Sequence, residues 1–290
     1  MNRMRIIIAC ICTLLLAACG AKQDGGRIVT VTVEPQRYFA EQIAGDKFKV
    51  ESMVPAGQSP ETYDPSPVQM VRIAGSSAYL LLGPASFEKA WVDKVRENNP
   101  KMRFFDTSKG LHLLEDADED HEEGHHHGGV DPHIWSSIAG ARAMARNMTD
   151  AFREIDPENA DYYQKNYEAL LEKINETETA MAGLLDSVHH RTFIIYHPAL
   201  TYLAHEFRLT QLCVEMDGKE PSPAQLKQLV ETAREADAHV VFVQREFDQK
   251  NAALIAEETG CKLTVINPLS YDWHKEMIQI AKALADGDAR

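Results

Sequence analysis

The chain has 290 residues with 30 basic and 44 acidic side chains, which give a formal net charge of −14 at pH 7. Its length suffices for two domains of ordinary size. A chain this acidic is a poor binder of nucleic acid or of a bare anionic membrane surface, whereas its charge favours cationic ligands. We therefore expect no nucleic-acid partner.

The N-terminal segment, MNRMRIIIACICTLLLAACG, predicts a secreted lipoprotein. Two arginines precede an apolar run that is too short to span a bilayer as a mature helix. The small residues before Cys19 resemble a lipobox, in which the cysteine becomes the lipidated first residue; the alternative is an ordinary signal peptide with an incidental cysteine. We predict a signal peptide at 1–18, a tether at 19–26 and a membrane anchor on Cys19.

The cysteines of the remaining chain predict neither a disulfide framework nor a zinc site built from cysteines. Only Cys213 and Cys261 follow the tether, too few for a disulfide framework or a CxxC zinc site. Doubly wound strand order would place them on opposite sides of a sheet, beyond the Cα separation of about 7 Å that a disulfide tolerates. We expect no disulfide between them.

The first half of the folded chain alternates strands with helices. The predicted strands are RIVTVTV, FKVESMV, AYLLLG and MRFFDT, and the segments between them have helical patterns. Such alternation predicts an α/β fold with a parallel sheet flanked by helices. We assign this lobe to residues 27–155, including an acidic, His-rich loop at 112–130.

A single long helix is predicted next. Asp156 and Pro157 make a good N-cap and first helical position, and no proline interrupts the chain from there to Val188. At 1.5 Å per residue the helix would be roughly 45 Å long. We expect a rigid linking helix at 156–188, beyond which the strand–helix alternation resumes and predicts a second α/β lobe at 189–290.

Four polar residues are candidates for a binding site, because ligands of open α/β sheets bind beyond the carboxyl ends of the strands. Glu61, His197 and Asn267 follow predicted strands, and His133 lies in the turn before a helix. The alternatives are a hydrogen-bonded core histidine at 197, a simple helix start at 133 and a plain proline-rich connector around Glu61. Histidines at comparable places in two facing lobes favour a metal.

The loop EDADEDHEEGHHHGG cannot bury an apolar core, and we expect it to be mobile. Neutral imidazoles at this density bind zinc, copper or nickel weakly and without fixed geometry. The alternatives are a solvated charge run or an artificial tag, although the internal position argues against a tag. We predict weak metal collection by the loop histidines His121, His125, His126 and His127.

Several motifs in order resemble the periplasmic zinc-binding proteins of bacterial ABC importers. They are the lipobox, the proline-rich loop, the His-rich loop leading into DPHIW, the long helix, YHPALTYLAHEF, EPSPAQLKQLVETARE and VINPL. The resemblance covers essentially the whole mature chain and implies two α/β lobes with one divalent metal buried between them. It implies His133 and His197 as ligands, and histidine at the second position favours Zn²⁺ over Mn²⁺.

Two positions depart from the pattern of that family. Glu61 ends the phrase GQSPE where the family usually has the histidine of GADPH, and Asn267 stands where an aspartate usually precedes Pro-Leu. One carboxylate is lost and another is gained, so Glu61 becomes plausible as a third ligand. The fourth position stays open to water, Asn267 or a loop histidine.

The sequence thus predicts a monomeric, non-enzymatic lipoprotein of the cell envelope that captures Zn²⁺ in the periplasm for an ABC importer permease. The alternatives are capture of manganese or another divalent metal, a zinc hydrolase, and an adhesin or structural lipoprotein with incidental metal. A hydrolase needs a general base beside the metal-bound water. The HExxH spacing that supplies such a base from a helix occurs only as HEEGH, inside the His-rich acidic loop.

Overall fold

The computed structural model describes residues 27–83, 85–115, 129–215 and 220–288. The predicted signal peptide, the lipidation site and the four loop histidines lie outside the described residues. Within the described part of the chain, no helix is long and apolar enough to cross a bilayer.

The N-terminal lobe contains a four-stranded parallel sheet of order β2-β1-β3-β4. Its strands are β1 (Ile28–Val31), β2 (Lys49–Ser52), β3 (Ala78–Leu81) and β4 (Arg103–Asp106). The helices of this lobe are α1 (Glu34–Ala44), α2 (Pro67–Ile73), α3 (Ser86–Asn98) and α4 (Ile138–Ile155). Side chains such as Val29, Val31 and Tyr79 are fully buried, as expected for parallel strands with both faces covered.

One long helix, α5 (Ala160–Leu185), follows a 3₁₀ turn at Pro157–Asn159 and confirms the predicted linking helix. Its 26 residues make it about 39 Å long. The expected capping by Asp156 is wrong in detail, because its carboxylate caps no backbone N–H. It instead accepts a hydrogen bond from the Tyr163 hydroxyl and pairs with Arg27 at 2.9 Å, which fixes the turn ahead of α5.

The C-terminal lobe repeats the architecture with a parallel sheet of order β6-β5-β7-β8. Its strands are β5 (Thr192–Ile195), β6 (Thr210–Cys213), β7 (Val240–Gln244) and β8 (Lys262–Ile266). Its helices are α6 (Thr201–Phe207), α7 (Pro223–Glu235), α8 (Gln249–Thr259) and α9 (Trp273–Asp288). In each sheet the strand order reverses between the first and third strands, so the preferred binding crevices lie beyond the carboxyl ends of β1–β3 and β5–β7.

One apolar cluster extends across both lobes, and a second lies within the C-terminal lobe. Helix α5 packs against α4 on one side and α9 on the other. The buried cluster runs from Phe39 in the first lobe through Ile174 of α5 to Phe242 and Trp273 in the second. The rings of Phe39 and Trp273 lie 5.1 Å apart, so aromatic packing crosses directly between the lobes. The predicted two-lobed fold with a rigid connection is therefore confirmed.

Two indole groups reinforce this contact near the carboxyl ends of the sheets. The Trp273 Nε1–H donates to the carbonyl of Trp135 at 2.6 Å, and the Trp135 Nε1–H donates to the carbonyl of Pro268 at 2.9 Å. Both indoles are almost fully buried, where an unpaired donor costs about 1–3 kcal/mol. The pair therefore fixes the turn around Trp135 against the second lobe.

The two cysteines of the folded part lie at opposite edges of the second sheet, as predicted. Cys213 ends edge strand β6, and Cys261 directly precedes edge strand β8. Three strand spacings, about 14 Å in all, separate these edges. This distance is about twice the separation that a disulfide between the two residues would allow.

Candidate metal centre

Three side chains meet where the carboxyl ends of the two sheets face each other. Glu61 lies in the proline-rich loop after β2, His133 in the turn before α4 and His197 just after β5. The Glu61 Oε1 atom is 3.1 Å from His197 Nε2 and 4.0 Å from His133 Nε2, and the two Nε2 atoms are 3.2 Å apart. Ligand atoms around tetrahedral zinc are about 3.3 Å apart. The three groups therefore have the spacing of ligands to one ion.

The orientation of His133 depends on Asp131. Its carboxylate accepts a hydrogen bond from the backbone N–H of His133 at 2.7 Å and contacts the ring Nδ1 at 2.9 Å. Burial opposes ionisation of Asp131, but the adjacent His133 ring and its hydrogen bonds lower the pKa of the carboxyl below its usual value. A carboxylate on Nδ1 leaves Nε2 directed into the cleft, as in many metal-binding histidines.

The strands on either side of β5 orient His197. Glu215, just after β6, contacts the ring Nδ1 at 2.8 Å. Gln244, at the end of β7, donates to the His197 carbonyl at 2.6 Å and accepts from its backbone N–H at 3.3 Å. The Phe247 ring stacks on the imidazole with 5.2 Å between centroids. His197 therefore has a fixed position before any metal binds.

The charges around His197 favour a cation between the lobes. Burial alone would lower the pKa of this imidazole, but the hydrogen bonds with Glu215 and Glu61 outweigh it and raise the pKa to about 10. Burial likewise opposes ionisation of Glu61, yet the contact with His197 lowers its pKa overall. In the metal-free protein a proton on His197 supplies the positive charge that the surrounding carboxylates require.

Asn267 does not line the cavity formed by these residues. Among the described residues, the neighbouring Pro268 and Leu269 do line it, together with Trp135 and Glu246. The backbone N–H of Asn267 donates to Glu276 at 2.7 Å. Glu61, His133 and His197 thus converge as predicted, whereas a fourth ligand from Asn267 stays a prediction.

Sequence reasoning missed the residues that support the ligands. Asp131 precedes His133 by two residues, and a carboxylate at that spacing is a sequence signal for a partner that orients a candidate ligand. Glu215, Gln244 and Glu246 lie at or just beyond the carboxyl ends of β6 and β7. The rule that identified His197 applies equally to those strands.

Comparison with known proteins identifies the family. Residues 29–287 match the family model described as ZnuA, zinc-uptake complex component A, periplasmic. The chain belongs to this family. The resemblance inferred from the motifs is therefore confirmed.

The relatives of the chain differ in length. It is 29% identical over 281 residues to the zinc-binding lipoprotein AdcA of Streptococcus pneumoniae (strain ATCC BAA-255 / R6), a match that covers 93% of this chain and 56% of AdcA. It is 30% identical to the high-affinity zinc uptake system protein ZnuA of Bacillus subtilis (strain 168), covering 91% of this chain and 88% of that protein. The chain thus spans about half the length of AdcA but most of ZnuA.

Solved structures share the two-lobed architecture. A crystal structure of ZnuA matches with a TM-score of 0.83 and 32% identity, covering 90% of this chain and 98% of that chain. A zinc-bound ZnuA deletion mutant matches with a TM-score of 0.82 and 33% identity, covering 91% and 98%. The Mn²⁺ complex of FpvC from Pseudomonas aeruginosa has a TM-score of 0.79 at 24% identity, covering 91% and 99%, and shares the fold.

Zinc binding should release the proton held by His197. The ring must provide the Nε2 lone pair to a metal, and its pKa of about 10 keeps it protonated near neutral pH. We expect about one proton released from this residue per zinc at pH 7 to 8, and an affinity that rises roughly tenfold per pH unit below that pKa. Calorimetry in buffers of different ionisation enthalpy measures the release.

The matched variant for this measurement is Glu215→Gln. The amide oxygen can still accept from Nδ1–H, but the negative charge that favours the protonated ring is lost. Fewer protons should then be released per zinc at the same pH. A binding enthalpy that does not depend on the buffer in the wild type would contradict the proposed protonation of His197.

Proposed function

We propose that the chain captures Zn²⁺ in the cell envelope through Glu61, His133 and His197 and delivers it to an ABC importer permease. The observation that carries this proposal is the approach, within 3.1 to 4.0 Å, of three ligand atoms contributed by both lobes. Membership in a family of periplasmic zinc-uptake components supports the same cargo and a transport role.

The donor set favours zinc over manganese. Two imidazole nitrogens and one carboxylate oxygen suit Zn²⁺, whereas Mn²⁺ prefers a shell dominated by oxygen. With neutral rings, Glu61 neutralises one of the two charges of the ion. The carboxylates of Asp131 and Glu215, which contact the far nitrogens of the two rings, offset the remaining positive charge.

Access to the ion is proposed to lie on the side of Glu61. Its side chain is 34% exposed, whereas those of His133 and His197 are 5% and 11% exposed. A carboxylate at the rim can bind an incoming cation before the buried imidazoles do. The same open side leaves room for a fourth ligand, and water or a loop histidine is favoured over Asn267, which does not line the cavity.

The His-rich loop is proposed to collect zinc for this site. Its two ends are held together, because Glu115 and Val130 form an antiparallel bridge and the Asp131 N–H donates to the Leu114 carbonyl at 3.0 Å. Both ends of the loop are therefore held beside Val130, which precedes His133 by three residues. Histidines tethered so closely raise the local concentration of exchangeable zinc near the ligands.

Attachment to the membrane belongs to the same proposal. A lipid on Cys19 would hold a monomeric chain at the envelope surface, where the permease resides, and would replace a membrane-spanning segment. The relative AdcA is named a lipoprotein, which supports this arrangement. No catalytic role is proposed.

His197→Ala should abolish most of the zinc-dependent stabilisation. Binding to the folded state contributes RT ln(1 + [L]/Kd), so the wild type should gain about 4 kcal/mol of unfolding free energy at a thousandfold excess of zinc over Kd. At the same zinc concentration the variant should gain far less, as measured by urea denaturation with and without zinc. The exposed His205 provides a control, since His205→Ala should behave as the wild type does.

Glu61→Gln and Asn267→Ala distinguish the two departures from the family pattern. The glutamine keeps the shape of Glu61 but removes the carboxylate assigned to the ion, so zinc affinity should fall at least about tenfold. Asn267→Ala should change the affinity little, because Asn267 does not line the cavity. Competition with a chelator of known affinity measures both. Loss of zinc by Asn267→Ala with normal binding by Glu61→Gln would show that the ligand assignment is wrong.

Replacement of residues 116–128 by a Gly-Ser linker of about four residues should separate collection from tight binding. The linker is long enough for a hairpin turn, so the bridge between Glu115 and Val130 can be kept. One tight zinc per chain should remain, because the three proposed ligands lie outside the loop, while the number of weakly bound ions should fall. Calorimetric titration counts both classes, and loss of the tight class would instead make a loop histidine an essential ligand.

A further inference from the structure

A second group of metal-binding side chains lies at the opposite end of the C-terminal sheet. His190 precedes β5, His239 precedes β7 and Asp237 lies in the turn between α7 and β7. Because β5 and β7 are neighbours in the sheet, their amino ends bring the two histidines together. His190 and His197 lie on either side of β5, so this group is roughly 20 Å from the first site.

The geometry of the group is compact. The imidazoles of His190 and His239 stack with 3.6 Å between centroids and 16° between planes. The Asp237 carboxylate faces both rings, with Oδ2 at 2.7 Å from His190 Nδ1 and Oδ1 at 3.4 Å from His239 Nε2. One nitrogen of each ring and a carboxylate oxygen lie within 4.8 Å of one another. Because an imidazole lone pair lies in the plane of its ring, the two side chains would rotate out of the stack to bring all three atoms to one ion.

The far nitrogens of both rings face acceptors. His239 Nδ1 lies 3.2 Å from the Gly287 carbonyl, which can only accept, so Nε2 carries the lone pair of the neutral ring. His190 Nε2 lies 3.9 Å from the Asp288 carboxylate, which leaves Nδ1 directed at Asp237. The 2.7 Å between His190 Nδ1 and Asp237 Oδ2 is a hydrogen-bond distance with the proton on Nδ1, and a divalent cation would replace that proton. Acceptors on the far nitrogens are the usual support of metal-binding histidines.

The end of α9 is fitted closely to these rings. A Cβ on Gly287 would lie 2.2 Å from Val240 Cγ2, so a larger residue could not bring this carbonyl so near His239. Asp288 Oδ1 accepts hydrogen bonds from the backbone N–H groups of His189 at 2.9 Å and His190 at 2.6 Å. Both supports of the two rings thus come from the last turn of one helix.

We propose that His190, Asp237 and His239 form a second site for a divalent cation of intermediate softness, with Zn²⁺ as the favoured ion. Two imidazoles and one carboxylate are zinc ligands, and the set is too rich in nitrogen for Mg²⁺ or Ca²⁺. The two histidine side chains are 28% and 25% exposed and Asp237 is 70% exposed, so the ion exchanges with solvent and binds more weakly than between the lobes. The bound ion would join the start of β5 to the turn between α7 and β7, separately from the site between the lobes.

Equilibrium dialysis with zinc on the full mature chain tests the proposal. His239→Gln and Asp237→Asn should each lose one equivalent of the weaker zinc, while the tight zinc stays unchanged because the sites are far apart. Asparagine tolerates the left-handed backbone of residue 237, where φ is +52°, so this variant should fold normally. His205→Gln removes an exposed histidine outside both groups and should keep the wild-type count.

The position of the ion can be tested separately. Anomalous diffraction at the zinc edge should give a peak between His190 Nδ1 and His239 Nε2 in crystals of the wild type, and none there in His239→Gln. Equal zinc counts in the wild type and both variants would overturn the proposal, and so would the absence of the peak. Because tight zinc is counted in the same experiment, failure of the second site is distinguishable from failure of the first.

Discussion

The apolar core shared by the two lobes is the constraint on which the metal centre depends. Helix α5 packs on α4 and α9, and the buried cluster passes from Phe39 to Trp273 without a boundary between lobes. The carboxyl ends of both sheets are therefore held face to face, and candidate ligand atoms from different lobes lie 3.1 to 3.2 Å apart. Such preorganisation lowers the entropy cost of binding, because the ligand side chains are already ordered before an ion arrives.

Buried carboxylates give this rigid site its charge. Asp131 and Glu215 orient the two imidazoles. Burial opposes a proton on His197, but the hydrogen bonds with Glu215 and Glu61 outweigh it and raise the pKa of this ring. If His197 is a ligand as proposed, zinc and protons compete for its Nε2 atom. Zinc affinity and its dependence on pH would thus arise from the same contacts. A substitution of Glu215 should therefore change both.

Polar side chains lie at both ends of the two central strands of the C-terminal sheet. At the carboxyl end, His197 follows β5 and Gln244 ends β7. At the amino end, His190 precedes β5 and His239 precedes β7. The first pair lies at the crevice that a doubly wound sheet creates between lobes. The second pair is supported by the last turn of α9 and is more exposed to solvent than the first pair.

The sequence by itself determined the strands, the helices and the two lobes, because periodicity, turn residues and strand ends are local signals, and its resemblance to a family indicated the three candidate ligands that converge. It did not determine what supports those ligands. Glu215 and Gln244 are 18 and 47 residues from His197, and His133 is 64 residues from it. These contacts, like the meeting of His190 with His239, exist only because strand order and helix packing bring distant segments together. Local patterns do not encode that order, so only the tertiary structure decided it.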